Sequence, residues 1–127
     1  MDKRALNASA AVQPTGGYPQ AVEVVGASRL LFVSGQIPVR ADNTLPTEFK
    51  DQARLAWANV EAQLRAAGMS LDNLVKVTIF LSDRAYNLDN REVRRAVLGE
   101  RPVALTVIIT GIFDPAWLLE IEAVAAA

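Results

Sequence analysis

The chain has 127 residues, 51% hydrophobic and 21% charged, with a formal net charge of −1. That length suits one domain, and the chain is too apolar to be disordered. It has no cysteine and no histidine, which removes disulfides, thiolate nucleophiles, thiolate metal sites and imidazole bases together. A pI near 5.4 offers no basic footprint for a phosphate backbone, so no nucleic-acid partner is expected.

Residues 1–15 read as a surface lead-in running into the turn signal PTGG at 14–17. The opening MDKRALNASAAV is charged early and has no apolar run of a secretory signal. No stretch reaches the roughly 18 apolar residues of a membrane span, so a cytoplasmic protein without a membrane partner is expected. AVEVVG (21–26) and RLLFVSG (29–35) are short β-type runs, and the glycine-bearing link between them is a hairpin signal. QIPVRADNTLP (36–46) is a polar, proline-bearing loop. A helix is predicted from about Thr47, a good N-cap, although Lys50 replaces the acid of a full capping box. Phe49, Ala53, Ala56, Trp57, Val60, Leu64 and Ala67 recur at helical spacing, and Gly68 is a natural stop.

NLVKVTIFLSD (73–83) alternates as a strand, with Val75, Val77, Ile79 and Leu81 on one face and Lys76, Thr78 and Phe80 on the other. LDNREVRRAVLG (88–99) predicts a short helix burying Val93, Val97 and Leu98. Its Arg91, Arg94 and Arg95, interleaved with Asp89 and Glu92 and followed by Glu100, read as a solvated mixed face. RPVALTVIITG (101–111) is a buried strand opened by a proline, FDPAW (113–117) a turn, and LLEIEAVA (118–125) the last strand. The order ββ-α-β-α-ββ predicts a single α+β domain over 1–127, with both helices on one face of the sheet. Strand 103–111 is apolar on either parity, so the second face needs a cover. Another copy of the chain is the simplest one.

Five stretches in order carry a resemblance: GGYPQAV (16–22), FVSGQIPV (32–39), AWANVEAQLRAAGMSLDNLVKVTIFLSD (56–83), RPVALTV (101–107) and LLEIEAVA (118–125). Together they resemble the RidA/YjgF reactive-intermediate deaminase family, also known as endoribonuclease L-PSP. The resemblance implies a chorismate-mutase-like fold with a mixed sheet, and a homotrimer with a barrel-like core. It also implies small-molecule sites in clefts between subunits, without metal or cofactor. Familiar members hydrolyse 2-imino or enamine acids to 2-keto acids and ammonia. In them an arginine in a P-x-R-S motif holds the substrate carboxylate, a glutamate in the last strand positions water, and a tyrosine lines the cleft. Carried over by position, Glu120 is the glutamate and Tyr18 the tyrosine. Ser34, Gly35 and Gln36 form the loop bordering the cleft, and Asn90 fits a helix asparagine. The arginine motif reads Pro102-Val103-Ala104-Leu105, so Ala104 stands in the arginine's place. The following segment GIFDPAW is longer than the family's compact loop and brings Trp117 towards the cleft.

Losing that guanidinium removes a charge-assisted clamp, on the order of 1.5–3 kcal/mol for one charged hydrogen bond. An apolar pocket for a neutral or aromatic ligand is expected in its place. Arg101 would sit on the opposite strand face from Ala104. Asp114, before Pro115, reads as a turn residue, and Ser34 has no base beside it to make it a nucleophile. The inventory supports a cofactor-free enzyme for an imine, enamine or related reactive carbonyl compound, working by hydrolysis, proton shift or cyclisation/condensation. Glu120 would be its acid or base, and Tyr18 an orienting donor. The competing reading is a non-catalytic ligand-binding or chaperone-like trimer. RNA cleavage is the least favoured.

Overall fold

The computed structural model describes residues 1–127. Six strands are present: β1 (Asp2–Leu6), β2 (Ala21–Val25), β3 (Leu30–Gln36), β4 (Leu74–Leu81), β5 (Ala104–Ile109) and β6 (Leu119–Ala126). Two helices, α1 (Phe49–Ala66) and α2 (Asn87–Leu98), separate β3 from β4 and β4 from β5. The main sheet runs β3-β6-β4-β5. β4 and β5 are parallel, as a crossover through α2 requires, and β6 is antiparallel to both β3 and β4.

The core follows from alternation. Val77, Ile79 and Leu81 of β4 and Leu119, Ile121 and Ala123 of β6 point to the face that α1 covers, and all are buried. The helix supplies Phe49, Ala53, Ala56, Trp57, Val60 and Leu64 from one stripe, as its spacing predicts. It ends in a Schellman arrangement: the Gly68 amide donates to the Arg65 carbonyl (2.9 Å) and the Met69 amide to that of Leu64 (2.8 Å). Burial of Val93, Leu98, Val103 and Leu105 joins α2 and β5 to the same core. The two helices therefore share one sheet face.

Four expectations are corrected. β2 and β3 do not form a hairpin: β2 pairs with β1 in a separate two-stranded ribbon, and β3 pairs with β6. The lead-in thus contains a strand, anchored where Lys3 Nζ donates to the carbonyls of Asp72 and Leu74 (both 2.9 Å). The α1 N-cap is Glu48, with no side-chain cap, rather than Thr47. The acids of α2 do not interleave with its arginines either. Glu92 and Asp89 turn to Lys50 of α1, at 2.6 and 4.0 Å, and Arg91, Arg94 and Arg95 have no carboxylate within salt-bridge distance.

Candidate active site

Glu120 lies on the uncovered face of β6, opposite Phe80 of β4. What places its carboxylate is a β-bulge on β3. Val33 pairs with Ala123 and Gln36 with Ile121, so two residues, Ser34 and Gly35, oppose one. The bulge brings the backbone of Gly35 against the Glu120 side chain. A Cβ at position 35 would lie 2.7 Å from the Glu120 Cδ and closer still to Oε2. Only glycine admits the carboxylate there. Gln36 braces the bulge by donating from Nε2 to the Ser34 carbonyl (3.0 Å), and Gln63 of α1 donates to its Oε1 (3.4 Å).

Glu120 borders a cavity of about 250 Å³ with Phe80, Thr110, Gly111, Ile112 and Phe113. Its carboxylate makes no hydrogen bond or ion pair within the chain. The segment 110–117, whose residues 110–113 wall this cavity, is held by Gln52, a residue that sequence reasoning passed over. Gln52 is 1% exposed; its Nε2 donates to the carbonyls of Pro46 (2.8 Å) and Ala116 (3.0 Å), and its Oε1 accepts from the Leu118 amide (2.8 Å). All of its side-chain polar groups are used, so the amide is a structural tie. Its position on the apolar stripe of α1 was the available signal. Asp114 serves the turn as expected, accepting from the Ala116 amide at 2.8 Å. Trp117 is half-buried, tilted against Phe113 with ring centroids 6.4 Å apart, and is not among the residues bordering the Glu120 cavity.

Ala104 opens β5 at the other end of the sheet, paired with Lys76 of β4. Lys76 Nζ donates to the Thr106 hydroxyl on that face. It shares a cavity of about 310 Å³ with Phe32, Ser34, Thr78, Glu122 and Val124. Arg101 does not reach Ala104's position. Its Nε donates to Asp72 Oδ1 (2.7 Å), and Nη1 donates to the α2 carbonyls of Leu98 (3.2 Å) and Val97 (3.4 Å).

Tyr18 lies in a third place. It packs on the core from the turn after Gly16 and Gly17, with the Arg94 guanidinium 5.4 Å from its ring centroid. Its cavity, about 580 Å³, is lined among others by Asn7, Pro19, Arg95 and Pro102. Asn90 is 2% exposed, and its Oδ1 has no hydrogen-bond partner. One chain therefore brings Gly35 against Glu120, whereas Ser34 borders the Lys76 cavity and Gln36 lies beside Gln63 of α1. It leaves Tyr18, Asn90, Ala104 and Trp117 outside the Glu120 cavity. No group of three or more acidic side chains is placed to hold a metal ion, and no helix is long and apolar enough to cross a membrane.

Comparison with known proteins places the chain by family and fold. Residues 8–127 match the profile of the family described as Endoribonuclease L-PSP. A RutC family protein of Pyrococcus horikoshii is 35% identical over 117 residues, covering 91% of this chain and 90% of its own. Crystalline TdcF of Escherichia coli, solved with bound serine, superposes with a TM-score of 0.72 at 31% identity over 98% of both chains. A Rid-family protein of Yersinia pestis shares the fold over 100% of both chains, with a TM-score of 0.85 at 24% identity. The chain belongs to the Rid family of RidA/YjgF proteins, the endoribonuclease L-PSP family.

Proposed function

We propose that this protein is a RidA-like enzyme acting, without a cofactor, on an imine, enamine or related reactive carbonyl compound. The reaction takes place in clefts between the copies of a homotrimer. The observation that carries the reading is Glu120: a carboxylate without an ion-pair partner, seated against Gly35 of the bulge where a Cβ would displace it, beside an apolar wall. Such a group can take a proton from water or a substrate carbon and return it to nitrogen. The backbone at Ser34–Gln36 would face charge developing on the substrate. Tyr18 and Glu120 border different cavities of one chain, so a cleft holding both must draw them from two copies.

Ala104 removes the carboxylate clamp of the familiar 2-imino acid reaction. The substrate group at that position is accordingly uncharged, and hydrolysis, proton shift and cyclisation or condensation all remain within reach of Glu120. The test is ammonia release from a 2-imino acid generated in place by an amino-acid oxidase, with wild type, Ala104→Arg and Ala104→Arg/Glu120→Gln compared. Wild type should be inactive, Ala104→Arg should gain turnover, and adding Glu120→Gln should lower that gain by about 10²-fold or more. Unchanged turnover after Glu120→Gln would remove Glu120 from the chemistry, and no turnover in any of the three would favour the non-catalytic, ligand-binding reading.

A further inference from the structure

Phe113 is the most exposed large apolar side chain of the molecule, at 94%. It does not hang from a loose loop. The Thr110 amide donates to the Leu81 carbonyl at 2.9 Å, and the Trp117 amide donates to that of Asp114 at 3.0 Å. Asp114 Oδ1 accepts from the Ala116 amide, Pro115 restricts the backbone between them, and Gln52 ties Ala116 and Leu118 to α1. The ring leans on Trp117, tilted at 35° with centroids 6.4 Å apart. The chain thus holds a phenyl ring on a braced turn and buries almost none of it.

That ring borders the Glu120 cavity. Phe80, Ile112 and Phe113 supply the apolar wall, Thr110 and Gly111 the rest, and Glu120 is the one charged group. A single exposed apolar side chain is ordinary on a surface, but this one shares its cavity with Phe80 and Ile112 around an unpaired carboxylate. No lysine or arginine lines the cavity; Lys76, on the same open face, lines a different one. A second anion beside Glu120 would meet like charge with no cation to offset it, so the part of a substrate that lies here is uncharged. A ring already fixed in position offers its flat face at little ordering cost, and aromatic contact adds to the gain from burial alone.

We infer that Phe113 selects the substrate of the Glu120 site: its ring takes the flat face of an uncharged body that is aromatic or otherwise conjugated with the reacting double bond. The inference rests on the reading of Glu120 as the reactive carboxylate. In the two-copy cleft, Phe113 and Glu120 come from one copy and Tyr18 from another.

The test is an amide NMR titration of the full chain with two neutral probes, benzamide and cyclohexanecarboxamide, which share the carboxamide and differ in the planarity of the ring. Benzamide should produce saturable shifts at Gly111, Ile112 and Phe113, in wild type and in Glu120→Gln alike. In Phe113→Leu, which keeps an apolar side chain, the ratio of benzamide to cyclohexanecarboxamide affinity should fall by about two- to tenfold, the range of one aromatic contact. Phe113 buries too little for that change to disturb the fold, and Phe113→Leu should sediment as wild type does. Binding of these probes needs no turnover. A lack of ammonia release in the Ala104→Arg assay counts against the reaction, whereas the probes report on Phe113 alone. No shift at 111–113, an unchanged ratio in Phe113→Leu, or a smaller species on sedimentation, which would make the ring an intersubunit contact, would each overturn the inference.

Discussion

The two faces of the main sheet share one backbone and differ in everything that rests on it. On the covered face Val77, Ile79, Leu81, Leu119 and Ile121 are completely buried under α1 and α2. On the other, Lys76, Thr78, Phe80, Glu120 and Glu122 alternate with them, and Phe32, Leu30 and Ile108 stand 71%, 61% and 42% exposed. The first face is a finished core. The second combines large apolar side chains with one lysine and two glutamates, and nothing in the chain covers it. Burial on one face fixes the strands, so the other is free to carry polar groups that a closed core would reject. The difference teaches where to look for function.

That contrast can be broken by substitution. Ile79→Ala removes a fully buried side chain and should cost about 2–5 kcal/mol of unfolding free energy. Ile108→Ala on the open face should change the unfolding of the isolated chain by no more than about 0.5 kcal/mol. Equal losses in urea titrations would mean that the faces are energetically alike.

Gly35→Ala sharpens the comparison at the Glu120 end. The position needs no left-handed backbone, so the fold should survive while the added methyl displaces the carboxylate. In the Ala104→Arg background, turnover should fall about as far as with Glu120→Gln, some 10²-fold, with circular dichroism unchanged. Retained turnover would separate the bulge from the chemistry.

The smallest effect belongs to the outer surface. Lys50 holds the Glu92 carboxyl below its ordinary range through a hydrogen bond and its charge, and Glu92 raises Lys50 in return. A depressed carboxyl contributes stability above its unfolded pKa and loses it as pH falls through the folded value. The raised amine contributes below its own unfolded pKa and loses it as pH rises through the folded one. Both side chains are solvated and screened. Glu92→Gln should therefore lower the melting temperature only slightly near neutral pH, and the difference should vanish in acid. A large difference that persists in acid would mean that the pair is not the cause.

Much of this was legible in the sequence, for physical reasons that differ by element. The α1 stripe and the β4 alternation are strong local periodicities, and burial followed them from Phe49 to Leu64 and from Val77 to Leu81; at the start of β4 a register shift buries Leu74 and leaves Val75 half-buried. β1 was not legible, because DKRAL carries no alternation and is held by pairing to β2 and by Lys3, contacts about 20 and 70 residues away. The same non-locality defeated the β2–β3 hairpin: the turn chemistry was present, but β3 finds a better partner in β6 at the far end of the chain. At the site, Glu120 and Gly35 could be named from the resemblance, whereas the bulge that joins them depends on register. The arginines of α2 read as a mixed face because their acidic neighbours were close in sequence. Only the packing of α1 against α2 drew those acids away to Lys50.

Sedimentation velocity on wild type and Phe32→Glu most directly tests the claim that the open face is completed by further copies of the chain. Wild type should sediment as one species of three times the 13.7 kDa chain mass, falling to the single chain when a charge is placed at residue 32. A wild-type protein that sediments as a 13.7 kDa monomer at micromolar concentration would contradict it.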